Sequence, residues 1–151
     1  MKVVYSDLKN KRVFISGGGS GIGATIVEHF CEQKSEVYFI DIDLKSSKKL
    51  IKKIKKKGYR VPKFIECNIL DVKKLQNIIK DIISKKGAIH CLINSAANDD
   101  RHTTEQVDEK YWENRMGINL KHYFFAAQAV VKGMKKIKSG SIVNLSSVSW
   151  M

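Results

Sequence analysis

The sequence predicts an α/β fold, a doubly wound parallel sheet with helices on both faces. Three observations carry that prediction. Short apolar runs alternate with stretches of helical periodicity along the chain of 151 residues. A glycine-rich turn, Ser16-Gly17-Gly18-Gly19-Ser20-Gly21-Ile22-Gly23, joins the first apolar run to the first helical stretch. Polar residues able to meet a ligand, Asp41 and Asn94, stand where later apolar runs end. Strands and helices of these lengths in strict alternation imply right-handed crossovers and a parallel sheet.

In chain order, Met1 to Lys11 is a polar lead-in and Arg12 to Ser16 the first strand. The glycine turn feeds a helix reaching about Lys34, whose Ile22, Ile26, Val27 and Phe30 form an inward face. Val37 to Ile40 is the second strand, ending in Asp41-Ile42-Asp43, with Asp43 suited to cap the next helix. Between Lys45 and Arg60 stand nine Lys or Arg and no Asp or Glu, yet Leu44, Ile51 and Ile54 recur at roughly helical spacing, so this is a helix with a solvated basic face. Gly58 stops it, and Pro62 sits where a third strand begins, ahead of Phe64 to Cys67. Asp71 caps a helix whose Val72, Leu75, Ile78, Ile79, Ile82 and Ile83 make one apolar stripe, stopped by Gly87. Ala88 to Ile93 reads as the fourth strand, Asn94 to Thr104 as a polar loop, about Gln106 to Ile137 as one long helical region, and Ser141 to Leu145 as the fifth strand. Trp112, Phe124 and Phe125 are expected in the core, and His90 is expected to be structural.

Composition narrows the function classes. With 43% hydrophobic and 28% charged residues, the chain is globular and long enough for one domain, taken as residues 1–151. No run of 18 apolar residues and no leader with a small-residue cleavage site occurs, so a cytoplasmic protein is expected. Cys31, Cys67 and Cys91 fall in apolar runs at spacings that match no metal or redox motif, which predicts three reduced thiols and no metal. The net charge of +13 raises the question of nucleic acid, but the basic stretch Lys45 to Lys57 holds no interleaved aromatic residues for stacking bases. No specific nucleic-acid partner and no membrane contact are expected.

Ligands of such a sheet bind beyond the carboxyl ends of its strands, so the residues there can be read together. The glycines Gly17, Gly19, Gly21 and Gly23, with Ser20 and Ile22 between them, would lie under a pyrophosphate: they permit a tight turn, close backbone approach and free N–H groups at a helix start. Tight turns without a ligand use glycines as well. Asp41, 18 residues beyond Gly23, is placed to accept both hydroxyls of an adenosine ribose and to repel a 2′-phosphate. A solvated helix cap is the other reading of Asp41. No basic residue occupies the glycine turn or directly follows Asp41, which favours NAD over NADP.

These residues resemble the short-chain dehydrogenase/reductases, whose fold is a Rossmann-type doubly wound sheet. The family's Thr-Gly-x-x-x-Gly-x-Gly motif appears with Ser16 in the threonine place and Gly17, Gly21 and Gly23 matching. Its Asn-Asn-Ala-Gly after the fourth strand is Asn94-Ser95-Ala96-Ala97 here, matching at Asn94 and Ala96. Asn68, followed by Ile69, stands where the family usually places an aspartate beside the adenine. The resemblance implies that Asn94 helps hold the end of the fourth strand and that Ala96 lines the cofactor channel. Asn119 aligns with the helix asparagine that the family uses to hold a water in a proton relay. Ser147, after Gly140 to Ser146, aligns with the serine whose hydroxyl hydrogen-bonds the reacting oxygen of the substrate, and Ser146 is the alternative. An NAD-dependent oxidoreductase is therefore implied, with Asn119 and Ser147 as catalytic candidates.

Within the family, Asn98-Asp99-Asp100-Arg101-His102, Tyr111-Trp112, His122 to Gln128 and Ser149-Trp150 look like bacterial aldose 1-dehydrogenases. That likeness implies a small-molecule substrate, an aldose or another secondary alcohol. It also implies a homo-oligomer formed through the helix around residues 120–138. The family's Tyr-x-x-x-Lys pair, which follows the serine, has no counterpart after Ser147. The Tyr5/Lys9 and Tyr59/Lys63 strings precede the first and third strands, away from the catalytic edge. The expectation is of about five strands, with the family's C-terminal strands missing. A chain of this kind would bind NAD weakly and, without a proton acceptor, would not turn over alone. A non-catalytic NAD-binding or scaffolding module is the alternative.

Overall fold

The computed structural model describes residues 3–147. Its elements are β1 (Arg12–Ser16), α1 (Gly21–Glu32), β2 (Glu36–Asp41), α2 (Leu44–Lys56), β3 (Lys63–Glu66), α3 (Val72–Lys86), β4 (Cys91–Asn94), α4 (Glu109–Met116), α5 (His122–Lys136) and β5 (Ser141–Asn144). One π-turn, Gly117–Lys121, separates α4 from α5. The five strands form one sheet in the order β3-β2-β1-β4-β5, with every pair parallel. β1 lies at its centre, so the glycine turn leaves the middle of the carboxyl edge, where the strand order reverses.

Alternation along the central strands divides the core into two layers. Val13, Ile15, Val37, Phe39 and Ile93 pack with Val27, Cys31, Leu50 and Ile54 from α1 and α2. Phe14, Tyr38, Ile40 and Leu92 point the other way, onto Leu75, Ile79 and Ile82 of α3 and Ala126, Val130 and Met134 of α5. The aspartate caps form at Asp43 and Asp71, whose side chains accept the N–H groups of Ser46 and Lys74. Pro62 precedes β3, which is an edge strand, so its missing N–H leaves no gap in the ladder. The three thiols are free and desolvated, which pushes each pKa up, that of Cys31 to about 12.

Several elements depart from expectation, each for a local reason. α1 ends at Glu32 because Lys34 takes a positive φ of 64°, the left-handed stop that follows many helices. β4 begins at Cys91 because the N–H of Arg12 donates to the His90 ring nitrogen Nδ1 at 3.0 Å, where a strand carbonyl would otherwise accept it. The long helical region is not continuous. Asp108 starts α4 by accepting the N–H of Tyr111, and the π-turn then interrupts it.

Burial corrects three groups of side chains. Ile22 is exposed at the mouth of the glycine turn, and the buried face of α1 is Gly23, Val27 and Cys31. Leu44 is exposed, and Ser47, Leu50 and Ile54 form the inward face of α2. Trp112 and Phe124 are not core residues: they are 57% and 64% exposed.

Candidate dinucleotide site at the carboxyl edge

The glycine turn is built by close approach. Gly17 has φ +69°, and a Cβ on it would meet the Ala96 Cα at 2.6 Å. A Cβ on Gly23 would lie 1.9 Å from the Gly17 carbonyl oxygen, so α1 packs directly onto the backbone of the turn. A Cβ on Gly19 would meet the Ser47 hydroxyl at 2.6 Å and the Asp41 carboxylate at 2.9 Å. The N–H groups of Gly17 and Gly18 donate to the Ile40 carbonyl, tying the turn to β2. α2, α3 and α4 each have an aspartate side chain closing their first turn, but Ser20 makes no side-chain cap bond and the first turn of α1 holds no acidic residue. That helix start keeps its positive end for an anion.

Asp41 closes β2 beside this turn. One carboxylate oxygen accepts the Gly19 N–H at 2.8 Å and the other accepts the Asp43 N–H at 2.9 Å. Asp43, not Asp41, is the cap of α2. The Ser47 hydroxyl, fully buried against Gly19, has no hydrogen-bond partner among the described residues. The Cys67 N–H donates to the Asp41 carbonyl and brings Asn68 to the same end of the sheet. Asn68 is exposed, its side-chain oxygen accepting the Leu70 N–H at 3.0 Å, whereas Ile69 is 9% exposed and packs in the core.

On the other side of β1, Asn94 is fully buried, and its amide donates to the Asn144 side-chain oxygen at 2.8 Å, joining the ends of β4 and β5. The Ala96 N–H reaches the Ser16 hydroxyl at 3.3 Å. Ser147 follows β5, and the segment leading to it is pinned twice: the Leu145 N–H donates to the Asn94 carbonyl, and the Tyr123 hydroxyl donates to the Leu145 carbonyl at 2.9 Å. Asn119 lies inside the π-turn. Its side-chain oxygen accepts the Asn98 N–H and its amide donates to the Asn98 carbonyl, both at 2.9 Å. The side chain thus clamps the loop after β4, while a π-turn redirects the backbone carbonyls around it.

That loop carries a polar cluster. Arg115 pairs with Asp100 at 3.0 Å and its guanidinium lies 4.7 Å from the Tyr111 ring centroid, while the Tyr111 hydroxyl hydrogen-bonds the His102 ring. The Ser149-Trp150 pair lies outside the described residues, as does Val148. Tyr5 and Tyr59 both sit at the opposite, amino-terminal edge: Tyr5 donates its N–H to Gln33, and the Tyr59 hydroxyl donates to Glu32, both at the end of α1.

Two contributors are not evident from sequence, His122 and Asn144. Each looks ordinary there, and only strand order brings them to Ser16 and Asn94. A lone histidine within the apolar face of a helix is the available signal for His122.

A family model described as short chain dehydrogenase matches residues 11–150. The chain is 38% identical over 148 residues to D-xylose 1-dehydrogenase of Caulobacter vibrioides, and 38% identical over 147 residues to a probable galactose dehydrogenase of Rhizobium meliloti. Each comparison covers 97% of this chain and 57% of the relative, so the chain spans little more than half their length. Among solved structures, the ligand-free aldohexose dehydrogenase of Thermoplasma acidophilum superposes with a TM-score of 0.81 at 28% identity, over 95% of this chain and 52% of that one.

Proposed function

The chain belongs to the short-chain dehydrogenases, and on that premise we propose that it forms the cofactor half of an NAD-dependent oxidoreductase acting on a sugar or other secondary alcohol. The observation that carries the reading is the cradle at the carboxyl edge. Gly17 and Gly23 leave no room for a side chain, the start of α1 is uncapped, and the Asp41 carboxylate closes one end. These residues suit a dinucleotide: the glycine turn and the N–H groups of Gly21, Ile22 and Gly23 for its pyrophosphate, Asp41 for the adenosine ribose, Asn68 and Ile69 beside the adenine, and Asn94 and Ala96 toward the nicotinamide.

Nicotinamide, when bound, supplies the hydride acceptor. Ser147 would donate a hydrogen bond to the substrate oxygen, lowering the cost of charge developing there. Asn119 would act through the loop it clamps and through the π-turn carbonyls, which can hold a water. Substrate class is read from the polar cluster of Asp100, His102, Tyr111 and Arg115, which suits a polyhydroxylated molecule, and from the sugar dehydrogenases among the relatives.

Titration with reduced cofactors tests this reading. Wild type is expected to bind NADH more tightly than NADPH, because the Asp41 carboxylate repels a 2′-phosphate. Asp41→Ala should weaken NADH about tenfold, the loss of one good hydrogen-bonded contact to a charged group, and should bring NADPH to parity. Equal affinities in wild type, or no binding of either, would overturn the proposal.

A second proposal concerns self-association. Trp112, Met116, Leu120 and Phe124 recur every fourth residue along α4, the π-turn and α5, and they are 57%, 37%, 54% and 64% exposed. Such a stripe is suited to pairing with its own copy. Sedimentation should find a dimer or larger assembly at tens of micromolar for wild type and a monomer for Phe124→Glu. A monomeric wild type would count against the stripe as an interface.

A further inference from the structure

We infer that His122 is a positioning residue for the nucleotide cradle, acting through the Ser16 hydroxyl to hold the glycine turn against the Ser95-Ala96 segment. This deepens the dinucleotide reading and rests on it. His122 opens α5 directly after the π-turn and is fully buried, as is Ser16 at the end of β1. The His122 Nε2 lies 3.4 Å from the Ser16 Oγ.

Hydrogen-bond accounting fixes which group donates. The Ser16 oxygen already accepts two N–H groups, from Ser95 at 3.2 Å and from Ala96 at 3.3 Å. A hydroxyl has two acceptor sites and one hydrogen, so its hydrogen is what remains, and Nε2 of His122 is the acceptor in reach. The ring must then carry its proton on Nδ1, and the backbone carbonyls of Gly117 and Ile118 in the π-turn bear on the same ring, favouring a proton on it. Nδ1 has no hydrogen-bond partner of normal geometry among the described residues, so the Ser16 hydroxyl is the hydrogen-bond partner the ring has there, beside its edge-on packing against Tyr123. Burial pushes the His122 pKa down to about 4, consistent with a neutral ring that accepts.

One hydroxyl thus ties together three pieces of backbone that share no local sequence. Ala96 is the residue whose Cα sets the space at Gly17, so a shift of Ser95-Ala96 moves the wall of the turn. Asp41 sits on the far side of the turn, bonded to Gly19 and Asp43. Loss of the His122–Ser16 contact should therefore loosen the pyrophosphate end of the site and leave the adenosine end as it is.

Calorimetric titration with NADH and with AMP tests this. His122→Leu should weaken NADH about tenfold and Ser16→Ala at least as much, because it also removes the acceptor of the Ser95 and Ala96 N–H groups, while AMP affinity stays unchanged in both. The double variant should be no worse than Ser16→Ala alone, because the His122 contact is already lost there. His122→Gln, whose side-chain oxygen can accept the same hydroxyl, should recover most of the loss. NADH affinity unchanged in both single variants, or NADH and AMP weakened in equal proportion, overturns the inference. A wild type that binds NADH, with variants that bind it as tightly as wild type, refutes this inference alone, whereas a wild type that binds neither ligand refutes the dinucleotide reading and this inference with it. If His122→Leu does not fold, nitrogen chemical shifts of the imidazole in wild type decide: an unprotonated Nε2 that responds to Ser16→Ala is expected, and a protonated Nε2 overturns the assignment.

Discussion

Gly23→Ala is expected to remove dinucleotide binding and to lower the thermal midpoint by roughly 6–12 °C, the equivalent of about 3 kcal/mol in a chain of this size. The new methyl would stand 1.9 Å from the Gly17 carbonyl oxygen and 3.2 Å from the Ser95 hydroxyl. The first contact is with backbone, so no side chain can rotate away to relieve it. α1 must lift off the glycine turn, which separates Val27 and Cys31 from Val13 and Ile15 and turns the helix start away from its anion. Gly21→Ala serves as a control. Its Cβ would meet nothing within 4 Å, and its cost arises only from a φ of +52°, about 1 kcal/mol. Differential scanning calorimetry and NADH titration on both variants separate crowding from backbone strain. Equal losses in the two would show that the packing of α1 onto the turn does not matter.

The second large effect is a loss of stability in mild acid. His122 is fully buried and stays neutral until about pH 4, whereas in an unfolded chain histidine protonates near 6.5. Between those values the unfolded chain binds more protons than the native one, so stability rises with pH across the window and is lost as pH falls through it. The full difference is about 3 kcal/mol, of which about 2 kcal/mol is gone by pH 5. His90 acts in the same direction: desolvation, with Arg12 and Lys11 nearby, lowers its pKa, and its Nδ1 must stay unprotonated to accept the Arg12 N–H. The carboxylates Glu28, Asp43 and Glu105, whose pKa values are lowered by hydrogen bonds, lose their contribution only at still lower pH. Chemical denaturation at pH 7 and pH 5 should show the loss in wild type and a much smaller one in His122→Gln. The same slope in both would mean that His122 does not titrate from a buried neutral state.

Much of this architecture is legible in the sequence. The strands of a sheet covered on both faces are short continuous apolar runs, and Arg12–Ser16 and Glu36–Asp41 show them plainly. Helix ends are local chemistry, so Asp43, Asp71 and Gly87 can be placed from their neighbours alone. Helix faces are less legible where a helix meets the sheet at only one end. Ile22 and Leu44 have the right periodicity, but each lies in a first turn that overhangs the carboxyl edge, where there is no sheet to cover it. Trp112 and Phe124 mislead for a related reason. Hydrophobicity reports that a side chain avoids water, not which surface shields it, and these two face outward from α4 and α5.

By itself, then, the sequence determined the alternation of strands and helices, the glycine turn with its steric demand for missing side chains, and the Asp41 carboxylate at the end of the second strand. Each depends on residues within one turn or one strand, whose chemistry acts over a few positions. Only the tertiary structure decided that Ser16, Ser95, Ala96 and His122 meet at one hydroxyl, that Asn94 reaches Asn144, and that Asn119 clamps Asn98 from within a π-turn. Those contacts join residues separated by as many as 106 positions. They exist because the order β3-β2-β1-β4-β5 sets β1 beside β4 and β4 beside β5, a pairing fixed by how both faces of the sheet bury their apolar surface together rather than by any local pattern.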